Sequence, residues 1–343
     1  MPTIQDVARA AAVSPMTVSR VFRGASYVRP ETRQRVLDAA AELNYVPNAV
    51  ARSLRQSRSG LLAFIITDMK NPLFYDMARG AEDAAHEANM AIVLGNSDDD
   101  PVVEAGYLRV MAEHRVDGIL LVPTPTTAST SMPHLPARVD LVLLDRRPQG
   151  VDASLVSCDT GPATRDLCHH LFGLGRSRVA LVGGMPEVQT WHDRLQGYAD
   201  AHAESGRDVD EGLIIPGDYR AEGGRHAVRQ LMASPSRPDA IIAASTQVLD
   251  GVLEELGAQD VRVPADIAVS CVDDPGFPAF FRPRFTFVEQ PGYEMGAEAV
   301  RLLMAGMEED NRPQVDRVFP ARLRIGESCG ELLAKPQDAV LTT

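Results

Sequence analysis

The residues with most chemistry to offer stand at the ends of short apolar runs. Thr67-Asp68, Pro123-Thr124, Asp145-Arg146, Ser245-Thr246 and Asp273-Asp274 each close a hydrophobic stretch, and Phe74, Trp191, Arg194, Tyr219 and Gln290 lie in the segments around them. Carboxylate, guanidinium and amide groups beside aromatic rings suit reversible binding of a small polar molecule, such as a sugar or a nucleobase. The rings cover its apolar faces, and the polar groups take its hydroxyls and nitrogens. A plainer use is open at each position: Asp145 or Asp274 could simply cap the loop or helix that follows. Bond-making chemistry has little support. The chain has no GxxxxGK[ST] or GxGxxG, and its eight histidines show no HExxH or HxxxH spacing. The adjacent His169-His170 pair would diverge by about 100° on a helix, too far to share a metal. An enzyme on a doubly wound α/β fold is therefore the least supported function, and neither metal nor cofactor is expected.

The elements that must position these residues are read from hydrophobic periodicity. Continuous apolar runs predict buried strands at Leu61–Ile66, Ala91–Leu94, Gly118–Val122, Leu141–Leu144, Val179–Val182, Ala240–Ala243 and Ile267–Val272. Helical patterns fall between them at Leu73–Ala88, Val102–Glu113, Ala163–Leu174, Trp191–Ala203, Glu222–Met232, Gln247–Leu256 and Met295–Met304. Alternation of this kind predicts an α/β fold of parallel sheets with helices on both faces, long enough for two lobes. Ligands of such sheets bind beyond the carboxyl ends of the strands, where the polar residues above fall.

The chain has 343 residues, 45% hydrophobic and 24% charged, values of a globular protein. It shows no secretory leader and no membrane span, so a cytoplasmic protein with no membrane partner is expected. Cys158, Cys168, Cys271 and Cys329 are scattered without a CxxC, which predicts reduced, buried thiols. Charge is uneven. The first 60 residues carry nine arginines against four carboxylates, a balance of +5, which leaves −18 for the rest of a chain whose total is −13. A basic head on an acidic body points to a nucleic-acid contact by the head alone.

The head reads as three helices. Thr3 and Asp6 form a capping box before a stripe of Ile4, Val7, Ala8 and Ala11. After a tight turn at Ala12-Val13, Ser14 caps and Pro15 opens a second helix to Phe22. Val18, Val21 and Phe22 face inward there, and Met16, Thr17, Ser19 and Arg20 face out. A third helix from Pro30 to Leu43 braces the pair through Val36, Ala40 and Leu43. Two short helices joined by such a turn make a helix-turn-helix. Beyond it, Tyr45-Val46-Pro47-Asn48-Ala49-Val50-Ala51-Arg52-Ser53-Leu54-Arg55 reads as a helix of about eight residues. That is shorter than the roughly 12–15 that persist alone in water, so its helical state depends on a partner.

Thr3-Ile4-Gln5-Asp6-Val7-Ala8, Val13-Ser14 and Thr17-Val18-Ser19-Arg20-Val21, followed at the right distance by Tyr45-Val46-Pro47-Asn48 with Ala51 and Leu54, resemble the opening of the lac repressor/galactose repressor (LacI/GalR) family. The likeness extends more loosely over nearly all the remaining chain. It implies that residues 1–46 form a helix-turn-helix DNA-binding domain and 47–60 a hinge helix and linker. It also implies a two-lobe ligand-binding and dimerisation body over 61–328, like a periplasmic binding protein, and a flexible tail over 329–343. The second helix would lie in the major groove with Pro15, Met16 and Arg20 at base-reading positions. Thr3, Ser14, Thr17 and Ser19 complete the DNA-facing set, with Thr17 equally able to bond within its helix. Asn48, Ala51 and Leu54 would meet the minor groove beside a second copy of the hinge, with Leu54 as an apolar wedge. In the body, Asn71-Pro72-Leu73-Phe74 resembles a ligand loop, Arg194 precedes the Gly197-Tyr198 pattern, Tyr219 falls at an aromatic platform and Gln290-Pro291 at a crossover. Together with the strand-end reading, the expected ligand set is Asn71, Phe74, Asp145, Trp191, Arg194, Tyr219, Ser245, Asp273 and Gln290. Thr246, Asp250, Ser270-Cys271-Val272 and Gly326 depart from the family pattern, which points either to an unusual ligand or to a weakened response. The implied function is a repressor acting as a homodimer on palindromic operator DNA. Its effector would be a sugar, with a nucleobase, a nucleoside or a corepressor as alternatives.

Overall fold

The structure is a computed structural model that describes residues 2–22, 27–45, 58–136, 139–278, 280–308 and 313–330. The expected hinge, with Asn48, Ala51 and Leu54, lies outside the described residues, as does the tail from 331 onward. The chain divides into two units, Met1–Gly60 and Leu61–Thr343.

In the first unit, helices α1 (Ile4–Ala10), α2 (Pro15–Phe22) and α3 (Pro30–Glu42) close on Val7, Ala8, Val18, Val21, Val36 and Ala40. The predicted caps form. Thr3 Oγ1 accepts from the Asp6 backbone N–H at 3.3 Å while the Thr3 N–H donates to Asp6 Oδ2 at 2.9 Å. The Thr17 N–H donates to Ser14 Oγ at 3.1 Å. Between α1 and α2, Ala12 takes a left-handed φ of +54°, which makes the turn tight.

The second unit holds two six-stranded sheets. Lobe 1 is built from β1 (Leu61–Ile66), β2 (Ala91–Asn96), β3 (Gly118–Leu121), β4 (Asp140–Leu144), β5 (Ser154–Asp159) and β11 (Asp316–Pro320), in the order β11-β5-β4-β3-β1-β2 and parallel throughout. Lobe 2 uses β6 (Val179–Val182), β7 (Ile214–Ile215), β8 (Ala240–Ala243), β9 (Ala268–Val272), β10 (Thr286–Glu289) and β12 (Arg322–Arg324), in the order β12-β10-β9-β8-β6-β7, with only the β10–β12 pair antiparallel. The helices after the head are α4 (Pro72–Glu87), α5 (Pro101–Glu113), the short α6 (Thr127–Thr130), α7 (Gly161–Gly173), α8 (Gln189–Glu204), α9 (Ala221–Ala233), α10 (Thr246–Ala258) and α11 (Gly292–Glu308). The chain crosses between lobes three times: after β5, after β10 through Gln290-Pro291, and between β11 and β12 at Ala321.

Helices α4 and α11 cover one face of lobe 1 and touch backbone to backbone. A Cβ on Gly80 would stand 1.9 Å from the Tyr293 carbonyl oxygen, and one on Gly296 1.9 Å from that of Met77. Only glycine allows this approach. The body also runs further than expected. Cys329, assigned above to the tail, is fully buried in the lobe 2 core with Cys168, Tyr198 and Val288, so the body includes it. Apolar burial holds this residue, which its short polar surroundings in sequence concealed. Among the described residues no helix is long and apolar enough to cross a membrane.

Candidate functional site

A cavity of about 310 Å³ opens between the two lobes, lined by the carboxyl ends of their strands and the helix starts that follow. Lobe 1 contributes Thr67 and Asp68 after β1, Asn71 and Phe74 at the start of α4, Asp98 and Asp99 after β2, and Asp145 and Arg146 after β4. Lobe 2 contributes Thr190 and Arg194 on α8, Tyr219 and Arg220 before α9, Ser245 after β8 and Asp273 after β9. Asp145 and Asp273 take left-handed φ values of +68° and +89°, so the chain turns sharply as it leaves each strand.

Two guanidinium–carboxylate groups form the floor. Arg146 is buried; its Nε lies 3.4 Å from Asp145 Oδ2 and its Nη2 3.3 Å from both Asp99 Oδ1 and Thr67 Oγ1. Arg194 is 3% exposed, as is Asp273. Its Nη1 donates to the Ala244 carbonyl at 2.6 Å, and its guanidinium carbon lies 5.8 Å from the centre of the Tyr219 ring. Among the described residues Arg146 Nη1 and Arg194 Nε have no acceptor. Burial pushes the Asp273 carboxyl above its ordinary range. Arg194 and the Gln290 amide oppose that rise, Asp145 adds to it, and the Asn71 side chain opposes it again. Asp99 rises for the same reason, against the pull of Arg146. Burial also lifts the Cys158 thiol to about 12, so it stays protonated.

Of the residues expected to bind ligand, the cavity gathers Asn71, Phe74, Asp145, Arg194, Tyr219, Ser245 and Asp273. Asn71 and Ser245 also cap helices: Asn71 Oδ1 accepts from the Leu73 N–H at 3.0 Å and Ser245 Oγ from the Val248 N–H at 3.3 Å. Two expectations are corrected. Trp191 does not line the cavity; its ring is packed into the lobe 2 core, so close to Gly184 that a Cβ there would come within 2.2 Å of it. Gln290 stands behind the lining, donating from Nε2 to Asp273 Oδ1. The sequence reading left Asp99 and Arg220 out. The signal for Asp99 lay in the length of β2, which runs to Asn96 and not to Leu94, and so delivers the Asp98-Asp99 turn to the cavity. Among the described residues no group of three or more His, Cys, Asp and Glu could hold a metal.

On the head, α2 presents Pro15, Met16 and Arg20 to solvent, with Met16 58% exposed. The Arg20 guanidinium lies 5.5 Å from the Tyr27 ring centre. The hydroxyls of the remaining set are engaged locally. Thr3 Oγ1 donates to Asp6 Oδ2 at 2.7 Å, and Ser14 and Thr17 share a hydroxyl bond of 3.0 Å. Ser19 is half-buried.

Comparison with known proteins agrees with both halves. Residues 3–48 match the sequence model for bacterial regulatory proteins of the lacI family, and residues 168–329 match that for a periplasmic binding protein-like domain. The chain is 32% identical to the HTH-type transcriptional repressor PurR of Photobacterium profundum, over 93% of this chain and 95% of that one. It is 34% identical to catabolite control protein A of Priestia megaterium, over 95% and 98% respectively. Among solved structures, the transcriptional regulator CelR in complex with cellobiose superposes with a TM-score of 0.67 and 31% identity, covering 96% of this chain and all of that one. The exposed recognition helix, the two-lobed body and this relatedness along nearly the full length lead to one conclusion: the chain belongs to the LacI family and is a DNA-binding transcriptional regulator, not an enzyme.

Proposed function

We propose that the protein is a homodimeric repressor whose hold on a palindromic operator is controlled by an uncharged, polyhydroxylated effector, a sugar or sugar derivative, bound in the cavity between the lobes. The observation that carries this reading is charge balance on the cavity floor. Each buried guanidinium already faces protein carboxylates, Arg146 with Asp145 and Asp99, and Arg194 with Asp273. On that floor an anionic ligand would meet three carboxylates and two guanidiniums already facing them, the cations Lys70 and Arg220 being exposed members of the lining, whereas hydroxyls can both donate to the carboxylates and accept from the guanidiniums. Phe74 and Tyr219 supply apolar surface for a sugar ring. Dimer formation is supported by exposed apolar side chains in both lobes, Val93 and Leu94 on β2 and the 83%-exposed Phe280.

Two relatives support the same class: CelR is described with cellobiose, and a ribose operon repressor of Escherichia coli is 33% identical over 89% of this chain. The experiment is a thermal-shift screen of neutral mono- and disaccharides, sugar phosphates and nucleosides, each hit then titrated against operator DNA. A neutral sugar is expected to raise the melting temperature and change operator affinity without being consumed. A response confined to phosphorylated sugars or nucleosides would overturn the proposal. The direction of the operator response separates an inducer from a corepressor.

A further inference from the structure

Arg220 stands at the mouth of the cavity on lobe 2, as the residue before α9. Its Nη2 donates to the backbone carbonyl of Asp98, on lobe 1, at 2.6 Å. Both ends of this bond are held by their own surroundings. The Arg220 N–H donates to Asp218 Oδ1 at 3.2 Å. Opposite, Asp98 and Asp99 form a left-handed turn, with φ of +53° and +56°, and Asn96 Nδ2 donates to Asp98 Oδ1 at 2.9 Å. The Asp99 carboxylate is directed to Arg146, at 3.3 Å. Among the described residues Arg220 makes no ion pair, so its partner across the cleft is a neutral carbonyl.

We infer that Arg220 is a latch: a positioning residue that holds the two lobes together across the cavity mouth through the Asp98 carbonyl. Both residues are exposed, so opening the cleft returns donor and acceptor to water and strands neither. Such a bond breaks and re-forms easily, which suits a gate. Losing one solvent-exposed hydrogen bond of this kind lowers the closed-to-open ratio about three- to tenfold. The role of the latch in regulation rests on the cavity being the effector site, but the latch itself can be tested without any effector.

The test measures the distance between spin labels on cysteines introduced at Val102, on α5 of lobe 1, and His226, on α9 of lobe 2, in the full-length protein by pulsed electron resonance. Both positions are exposed and the four native cysteines are buried, so only the introduced pair is labelled. Arg220→Met, and Arg220→Gln as a second variant, are expected to shift the distribution towards longer distances. Asp98→Asn retains the backbone carbonyl and is expected to leave the distribution as it is. A distribution unmoved by either Arg220 variant would overturn the latch. So would an Asp98→Asn variant that opens as far as Arg220→Met, because the side chain would then be the partner. A cleft that opens on Arg220→Met yet binds no sugar would overturn only the effector reading. Sugar binding with an unmoved distribution would overturn only the latch.

Discussion

The Gln290 side-chain amide donates to the Asp273 carboxylate, which joins a crossing point of the chain to the floor of the cavity. Gln290 follows β10 at a passage between lobes, and Asp273 ends β9. Whatever touches Asp273 therefore acts directly on a segment about which the lobes must turn. Gln290→Leu would leave a buried carboxylate short of one donor and is expected to destabilise the body by about 2 kcal/mol. Urea denaturation measures this, and a midpoint equal to that of wild type would show that the bond contributes nothing.

The same carboxylate gives the body a pH signature. Burial raises the Asp273 carboxyl above its ordinary 3.8. A carboxyl that holds its proton more tightly when folded contributes stability that falls as pH rises from the unfolded value through the raised folded one, and is level above it. Asp273→Asn removes this contribution. Its unfolding midpoint in urea is expected to fall less than that of wild type as pH rises through the mildly acid range.

Arg194→Ala deletes the cation beside Asp273 and the donor to the Ala244 carbonyl. Removing one partner of a buried pair costs about 3–5 kcal/mol in general, and less here because Gln290 still supports the carboxylate. Operator affinity without effector is expected to remain, and the response to effector to vanish. A normal response measured by fluorescence anisotropy would exclude Arg194 from the site.

Arg20→Ala is expected to weaken operator binding by about 1–3 kcal/mol and to relax selectivity at the base pair it reads. If affinity falls equally for every operator variant, Arg20 contacts phosphate and not a base.

Gly80→Ala would normally strengthen a helix by about 1 kcal/mol. Here the added methyl meets the Tyr293 carbonyl oxygen, and the net effect is expected to be a loss of about 1–3 kcal/mol from overpacking. A raised melting temperature would mean that α4 and α11 separate without penalty.

The parts of the fold legible in the sequence are those with strong local signals. The run Leu61–Ile66 is buried along nearly its whole length and is found where the apolar stretch predicts it. Ser14 and Pro15 start α2 as their chemistry requires. Strands β5, β7, β10, β11 and β12 were not anticipated. β11, Asp-Arg-Val-Phe-Pro, is mostly exposed at a sheet edge, and β12 has three residues, so neither has the composition of a buried strand. The strand-end rule and the family resemblance together located seven members of the cavity but misplaced Trp191, because Thr190 and Arg194 reach the cavity while the ring between them turns to the core. Side-chain direction around a helix, and not position along the chain, decides such cases. Arg220 was invisible for another reason: its partner is a backbone carbonyl 122 residues away, and a carbonyl leaves no mark on composition.

The three passages between lobes also govern how the protein can be made. Met295, Ala299, Val300 and Leu303 of α11 pack against Leu62, Phe64, Met77 and Ala81, yet α11 follows nearly all of lobe 2 in the chain. During synthesis the first lobe leaves the ribosome with that face bare and its β11 edge missing. Lobe 2 therefore emerges beside an unfinished neighbour, and a chain truncated before Gly292 leaves that apolar face exposed and prone to aggregate.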